Sequence, residues 1–195
     1  MDPILFPTRQ SVITLQDITS TNWARIIHLV VNKDQLTLVP PNVESLCEHQ
    51  FHPHSIVKAI YADTTPVGYI RLQQDKDNEQ GHEQGRVQDV YRLQCFMIDQ
   101  ACQGLGFGTK ALVALQNQLK AHSAAVTTAE KLAAETNNSN NSAAVATTAA
   151  SAIAIKVLTT SFATVHSDDS PEHFFAGVGF TKDATGKEMV WVSCS

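Results

Sequence analysis

A glycine-spaced loop between an apolar strand and an amphipathic helix constrains this chain more than any other stretch. It lies within residues 96–112, which read FMIDQACQGLGFGTKAL. Gly104, Gly106 and Gly108 alternate there with Leu105 and Phe107. Glycine allows backbone conformations that other residues avoid, and it leaves no side chain in the way of a ligand. Because the loop opens a helix, its unpaired N–H groups and the helix dipole predict a phosphate or pyrophosphate site.

The spacing of the glycines excludes two familiar phosphate loops. The P-loop pattern requires a G-K-[ST] ending, which Gly108-Thr109-Lys110 does not supply. The dinucleotide fingerprint G-x-G-x-x-G does not fit either, because the third glycine comes one position too early. From the residues alone, an ordinary glycine-rich turn between strand and helix remains the alternative.

Length, charge and cysteine usage narrow the class of protein. The 195 residues predict a single domain, residues 1–195, that is long enough to bury a core. A net charge of -5 argues against nucleic-acid binding, which favours a basic face. The first residues, MDPILFPTRQ, do not resemble a signal peptide, and no apolar run is long enough to cross a membrane. The cysteines form no C-x-x-C pair, so reduced thiols in the cytoplasm are expected.

The first half of the chain predicts a strand, two helices, a hairpin and a long strand. The first strand covers residues 11–15, and apolar residues from Trp23 to Val30 recur at the spacing of one helical face. A second helix is expected at 42–48. Strands at 55–61 and 67–72 form a hairpin around the turn at 63–66, and residues 73–88 read as an exposed loop. The central strand covers 90–99.

The second half begins with a helix and contains a low-complexity insert. Leu112, Leu115 and Leu119 form one apolar stripe along the helix after the glycine loop. Residues from about 122 to 152 are dominated by Ala, Thr, Ser and Asn, which predicts an expanded loop within the domain, with residues 124–135 able to extend the helix. A strand at 153–160, a short helix after 168–172 and a hairpin of 180–182 with 189–192 complete the chain.

This order of elements, with Gln103 at the first position of a Q/R-x-x-G-x-G/A loop, resembles the GCN5-related N-acetyltransferase (GNAT) superfamily. Within it, the chain looks most like the bacterial spermine/spermidine N-acetyltransferases. The similar segments are ITL at 13–15, NW at 22–23, N-x-ESL at 42–46, VGY at 67–69, YRL at 91–93, FMID at 96–99 and GF at 179–180. The resemblance implies an α/β fold, with a mixed, mostly antiparallel sheet of about seven strands flanked by helices. The central strands are expected to splay apart.

The resemblance also implies a binding site for acetyl-CoA as co-substrate. The backbone of Met97 and Ile98 would pair with the pantetheine arm. The loop residues that would hold the pyrophosphate are Gln103, Gly104, Leu105, Gly106, Phe107, Gly108 and Thr109. The Gln103 side chain is expected to contact a phosphate.

Three positions depart from the family pattern. Cys95 stands where an arginine is common, Asp168 where an asparagine is common, and Phe175 where a tyrosine commonly protonates the departing thiolate. No catalytic residue is therefore assigned. His166 and Asp168 are the candidates for a proton relay, because a histidine titrates near neutrality.

The expected activity is transfer of an acetyl group from acetyl-CoA to a primary amine, with a polyamine such as spermidine or spermine as substrate. Glu44 and Glu48 are candidates to attract the cationic tail of the amine, with an exposed helical face as the alternative. The run H-x-x-H-x-H at His49, His52 and His54 resembles a metal site, but it has no matched acid or cysteine, so no metal is expected.

Two alternatives come from other classes of protein. A degenerate acetyltransferase could bind acyl-CoA as a sensor, which Phe175 favours. An interaction protein that works through the insert is opposed by the intact loop of residues 103–108. The expected partner is a small-molecule amine, with no nucleic acid and no membrane, and a homodimer stays open.

Overall fold

One mixed sheet organises the part of the chain that the computed structural model describes, which is residues 6–75, 88–137, 154–159, 171–184, 186 and 188–193. The strands of these residues are β1 (Ile13–Asp17), β2 (Ser55–Ala62), β3 (Thr65–Asp75), β4 (Gln88–Ile98), β5 (Ala154–Thr159), β6 (Thr181–Lys182) and β7 (Met189–Ser193). They form a sheet in the order β1-β2-β3-β4-β5-β7-β6. Only the β4–β5 pair is parallel. The predicted α/β fold with a mostly antiparallel sheet is confirmed.

Helices cover both faces of this sheet. They are α1 (Trp23–Ile26), α2 (Asn42–His49), α3 (Phe107–Asn137) and α4 (Pro171–Ala176), with 3-10 turns at Lys33–Gln35 and Gln100–Cys102. On one face, buried Cys95 and Met97 of β4 pack with Ile26 of α1. On the other face, Ile98 packs in a core that includes the apolar stripe of α3. Because successive side chains of β4 point to opposite faces of the sheet, they contribute to two separate apolar cores.

The first helix is shorter than the sequence predicts. Its apolar spacing suggests a helix through Val30, but α1 ends at Ile26. The Val30 N–H donates instead to Asp99 Oδ2 at 3.0 Å, and the Val30 carbonyl accepts from the Gln100 N–H at 2.7 Å. Because both polar groups of Val30 bond to the loop after β4, they are not available to continue the helix.

The third helix is longer than predicted, and the hairpin turn is tighter. α3 continues to Asn137, so the first part of the expected loop insert is helical, as the alanine content of residues 124–135 allowed. Residues 138–152 of the insert lie outside the described residues. In the hairpin, β3 already begins at Thr65, and Asp63 in the turn has a positive φ of 54°. Aspartate tolerates this left-handed conformation better than most residues.

Candidate active site

The glycine loop leaves β4 through a capped turn and enters α3. The Asp99 side chain accepts a hydrogen bond from the Ala101 N–H at 3.0 Å and so begins the 3-10 turn. Gly104 and Gly106 follow with positive φ angles of 73° and 80°. A Cβ atom on either glycine would meet no atom within 4 Å. The two glycines therefore provide the left-handed backbone of the loop and keep its outer side open.

The backbone N–H groups of this loop are free to donate to a ligand. Within the described part of the chain, no acceptor is found for the N–H groups of residues 104–109. The first bonded donor is Lys110, whose N–H reaches the Gly106 carbonyl at 3.2 Å. Because these groups stand at the positive end of a 31-residue helix, they suit an anion. The open cradle and its donors fit a pyrophosphate.

Buried side chains and the N-terminal segment fix the position of the loop. Phe107 is buried in the core. Leu105 is partly buried and packs against the same core. On the outer side, the Arg9 Nη2 donates to the Gly104 carbonyl at 3.2 Å. The Lys110 Nζ in turn donates to the Arg9 carbonyl at 2.6 Å. Leu105 and Phe107 thus contribute anchoring side chains to a loop in which Gly104 and Gly106 are exposed.

Gly108 allows α4 to lie against the start of α3. A Cβ atom on Gly108 would come within 3.0 Å of the Phe174 ring. Phe174 stacks on Phe96 of β4, with ring centroids 5.7 Å apart and an interplanar angle of 23°. The small residue at position 108 therefore lets the aromatic cluster of α4 reach the end of β4. Thr109, the next residue, is exposed in the first turn of the helix.

At the end of β4, the backbone of Ile98 and not of Met97 faces the β5 side. The Asp99 N–H donates to the Val67 carbonyl of β3 at 2.8 Å, and Met97 pairs with Tyr69 in the same ladder. Backbone groups alternate direction along an antiparallel strand, so those of Ile98 point to the opposite edge. The β4–β5 pairing ends at Leu93 and Thr159 in the described residues. Pairing of this edge with a pantetheine arm stays a prediction.

The Gln103 side chain is occupied by protein contacts. Its Nε2 donates to the Ile98 carbonyl at 2.9 Å and to Gln35 Oε1 at 2.7 Å. Its Oε1 accepts from Asn32 Nδ2 at 2.6 Å. The backbone of Gln103 remains part of the loop. Its side-chain amide, which was expected to contact a phosphate, has no free N–H in this arrangement.

The two candidate substrate carboxylates differ in their surroundings. Glu48 Oε2 lies 2.6 Å from Arg71 Nη1, so its charge is already partnered. Glu44 is exposed in the first turn of α2, and no ion pair to it is found among the described residues. Of the two, Glu44 is the carboxylate that can attract an incoming cation.

A buried polar cluster lies beneath α2, between β3 and β4. The Arg71 Nη1 donates to the Ser45 carbonyl at 3.0 Å, and the Ser45 hydroxyl lies 3.2 Å from the Tyr69 hydroxyl. Burial raises the pKa of the Cys95 thiol to about 12 and that of Tyr69 to about 12. Cys95 therefore stays protonated at neutral pH and is not a nucleophile. Arg71 pairs with Cys95 across the two strands, so an arginine stands beside the position where the family pattern leads one to expect it.

The histidine run does not converge on a common centre in the described residues. His49 is half-buried, and burial together with Arg71 lowers its pKa. His52 and His54 are exposed. No group of three or more potential metal ligands is found in the described part of the chain.

Phe175 is a packing residue in this structure. It is 4% exposed, and its ring centroid lies 5.1 Å from Phe174, 5.3 Å from Phe180 and 6.3 Å from Phe96. The two relay candidates, His166 and Asp168, lie outside the described residues. Among the helices that are described, none is long and apolar enough to cross a membrane.

The comparisons with known proteins identify the family to which the chain belongs. A model of the acetyltransferase (GNAT) family matches residues 14–148, which is more than half of the chain. The chain therefore belongs to the GNAT family of acetyltransferases. Acetyl-CoA is accordingly the acetyl donor, and the open loop at residues 104–109 fits its pyrophosphate. A search of the curated proteins found no match.

Solved structures of acetyltransferases share the fold at low sequence identity. A tyrosine-to-phenylalanine mutant of the AtaT toxin bound to the C-terminus of the antitoxin AtaR has a TM-score of 0.56 at 14% identity, over 93% of this chain and 92% of that chain. AtaTR bound with acetyl-CoA gives 0.54 at 14% identity over the same shares. A putative GNAT acetyltransferase from Bacteroides thetaiotaomicron gives 0.50 at 14%, over 93% and 87%.

Sequence reasoning missed the side chains that connect the site to its surroundings. Asn32 and Gln35 lie in a polar stretch that carries no motif, and Asn42 begins the N-x-ESL segment, which does not indicate its contacts. Arg71 gave a signal, because it is a single charge within the apolar run of β3. A buried charge requires a partner, and Glu48 on the neighbouring helix supplies it.

Proposed function

We propose that this protein transfers the acetyl group of acetyl-CoA to a primary amine. The observation that carries the proposal is the set of N–H groups at residues 104–109, for which the described part of the chain supplies no acceptor, around the exposed Gly104 and Gly106. Bound there, acetyl-CoA supplies an acetyl group activated as a thioester. The chain holds the pyrophosphate with the loop, and the Ile98 N–H at the edge of β4 orients the rest of the molecule, since the Ile98 carbonyl already accepts from Gln103 Nε2.

The protein's own contribution to the reaction is positioning and proton management. An amine must be neutral before it attacks a carbonyl carbon, and a thiolate is a good leaving group, because an alkyl thiol such as that of cysteine has a pKa of only about 8.5. A strong general acid is therefore not required, which agrees with a phenylalanine at position 175. His166 and Asp168 remain the proposed relay for the amine proton.

The amine we propose is a polyamine. Glu44 supports this choice, because it is an exposed carboxylate at the start of α2 that no described cation neutralises. Glu48 contributes less, because Arg71 already pairs with it. A net charge of -5 adds a weak attraction for cations over the whole surface.

An amine panel tests the proposal. Release of free thiol from acetyl-CoA is measured with spermidine, spermine, a lysine peptide and an aminoglycoside, and the acetylated product is identified by mass. We expect the polyamines to react fastest. Glu44→Gln should raise the polyamine KM at low salt and have less effect at high salt. Glu172→Gln on α4, which removes the same charge from the other face of the sheet, should change KM little. A marked preference for the peptide would overturn the polyamine assignment.

A sensor that binds acyl-CoA without turnover is the second candidate. It is favoured by Phe175, whose buried ring cannot donate a proton. Tight binding of acetyl-CoA with no thiol release for any amine would select it. The cytoplasmic location and the homodimer stay predictions.

A further inference from the structure

The segment between α1 and α2 is bonded to the loop that follows β4. The Val30 N–H donates to Asp99 Oδ2 at 3.0 Å, and the Gln100 N–H donates to the Val30 carbonyl at 2.7 Å. These two hydrogen bonds are the first of two sets that connect the segment between α1 and α2 to the loop after β4. They place residues 29–35 beside the stretch from which the glycine loop begins.

The amide of Gln103 forms the other end of this connection. It bonds Asn32 and Gln35 in the segment, at 2.6 and 2.7 Å, and the Ile98 carbonyl at 2.9 Å. A glutamine amide has two N–H donors and a carbonyl acceptor, and here both donors and the oxygen have protein partners. The side chain is part-buried, which strengthens such bonds.

The same segment borders the end of β4 from the α2 side. Asn42 is 3% exposed, and its Nδ2 donates to the carbonyls of Ile26 at 2.9 Å and Leu29 at 3.3 Å. It also lies 3.7 Å from the Met97 sulfur. Residues 29–35 are therefore held between the buried end of β4 and the start of the glycine loop.

We propose that Gln103 is a positioning residue that couples the pyrophosphate loop to residues 29–35, rather than a ligand of the phosphates. When the loop is ordered by acetyl-CoA, the Gln103 amide holds this segment against the end of β4, where the amine must approach Ile98. The position of the amine rests on the proposed function. The hydrogen bonds between Gln103 and residues 29–35 do not depend on it.

Hydrogen exchange and calorimetry test the coupling without requiring turnover. Exchange is followed in peptides that cover residues 28–36, with and without acetyl-CoA, and the acetyl-CoA Kd is measured directly. The variants are Gln103→Met and Gln35→Met, which remove the two sides of their shared hydrogen bond, and Gln35→Glu, which keeps an acceptor. Gln103→Met also removes the bonds to Asn32 and Ile98. Gln100→Ala is the control, since only the backbone of Gln100 contacts the segment.

We expect acetyl-CoA to slow exchange at residues 28–36 in the wild type, in Gln35→Glu and in Gln100→Ala. Both methionine variants should lose most of this protection. The acetyl-CoA Kd of Gln35→Met should rise by only about two- to tenfold, the range of a single neutral hydrogen bond, and that of Gln103→Met, which loses three such bonds, by somewhat more. In turnover, the amine KM should rise more than the acetyl-CoA KM, and Gln35→Glu should restore it.

Two results would overturn the proposal. The first is a Gln103→Met variant that loses far more acetyl-CoA affinity than Gln35→Met, with the difference absent for phosphate-free acetylpantetheine; Gln103 would then be a phosphate ligand. The second is unchanged exchange at 28–36 in both methionine variants, ligand-free or bound. Failure to acetylate any amine would contradict the proposed function alone, because neither readout depends on an amine.

Discussion

Phe175, which the resemblance aligns with a tyrosine, has three aromatic rings among its described neighbours. Phe96, Phe174 and Phe180 contact it, and the side chain is almost wholly buried. The residue contributes packing between α4 and β4 rather than a proton. At the residue scale, the role of Phe175 follows from the aromatic rings that contact it.

The substitution Phe175→Tyr places a hydroxyl among these rings. We expect the free energy of unfolding to fall by about 1–3 kcal/mol, because a buried hydroxyl without a partner is costly. Urea denaturation measures this change, and thiol release gives kcat. A variant that is as stable as the wild type and turns over faster would show that the hydroxyl reaches the reacting thiol.

Cys95 and Tyr69 predict how stability depends on alkaline pH. The Cys95 thiol has a pKa of about 12 in the folded protein, whereas a thiol in the unfolded chain ionises near about 8.5. The folded state therefore releases this proton less readily, and its stability falls as pH rises from about 8.5 toward 12. Tyr69, with a folded pKa of about 12, adds to the fall only above its ordinary value of about 10.

Urea denaturation between pH 8 and pH 10 isolates the cysteine contribution. Cys95→Ala should be less stable than the wild type at pH 8, because a small cavity remains, but it should lose less stability as pH rises. Cys47→Ala provides the control, because it removes an exposed thiol without leaving a buried cavity. Parallel slopes for wild type and Cys95→Ala would contradict the expectation.

At the scale of elements, regular patterns were predictable and long-range contacts were not. β4 and the glycine loop follow from local alternation and glycine spacing, which depend on neighbours in sequence. The early end of α1 depends on Asp99, which is 69 residues away from Val30. Two partners of the Gln103 amide, Asn32 and Gln35, are similarly distant, so this side chain could be predicted as part of the loop but not as a connection to them.

Gly68 tests the pairing of β3 and β4 at the site. A Cβ atom there would collide with the Met97 carbonyl oxygen, which is backbone and cannot turn away. Gly68→Ala should lower the free energy of unfolding by about 1–3 kcal/mol, as overpacking does, and should also weaken acetyl-CoA binding through the displaced end of β4. Gly177→Ala is the control, because its Cβ would meet only ordinary contacts at 3.4 Å or more. Equal stability of the two variants would show that β4 shifts freely.

At the scale of the whole molecule, the family model covers a shorter part of the chain than the sheet does. The family model ends at residue 148, before β5 begins at Ala154. The strands and helix after that point are supported by the sheet order and by the similarity to solved acetyltransferases. Whether residues 122–152 form an insert within one domain stays a prediction.

Replacing residues 123–151 with a short glycine-containing turn tests that prediction. The described side chains near the start of this stretch, Ala124, Ala125 and Thr128, are exposed, so their removal should cost little. We expect the melting temperature to fall by less than about 4 °C, which corresponds to roughly 1 kcal/mol for a chain of this size. A larger loss, or loss of acetyl-CoA binding, would show that the stretch packs on the core.

The affinity of the glycine loop for acetyl-CoA is the central claim, and Gly106→Val tests it most directly. Valine at this position would project into the open cradle and would strain a backbone with a φ of 80°. Gly186→Val is the matched control, because Gly186 also has a positive φ of 70° and an open Cβ position but lies in the turn before β7. Calorimetry should show acetyl-CoA binding weakened at least about thirtyfold, roughly 2 kcal/mol, in a folded Gly106→Val and nearly unchanged in Gly186→Val. Equal affinity of Gly106→Val and the wild type for acetyl-CoA would contradict the account.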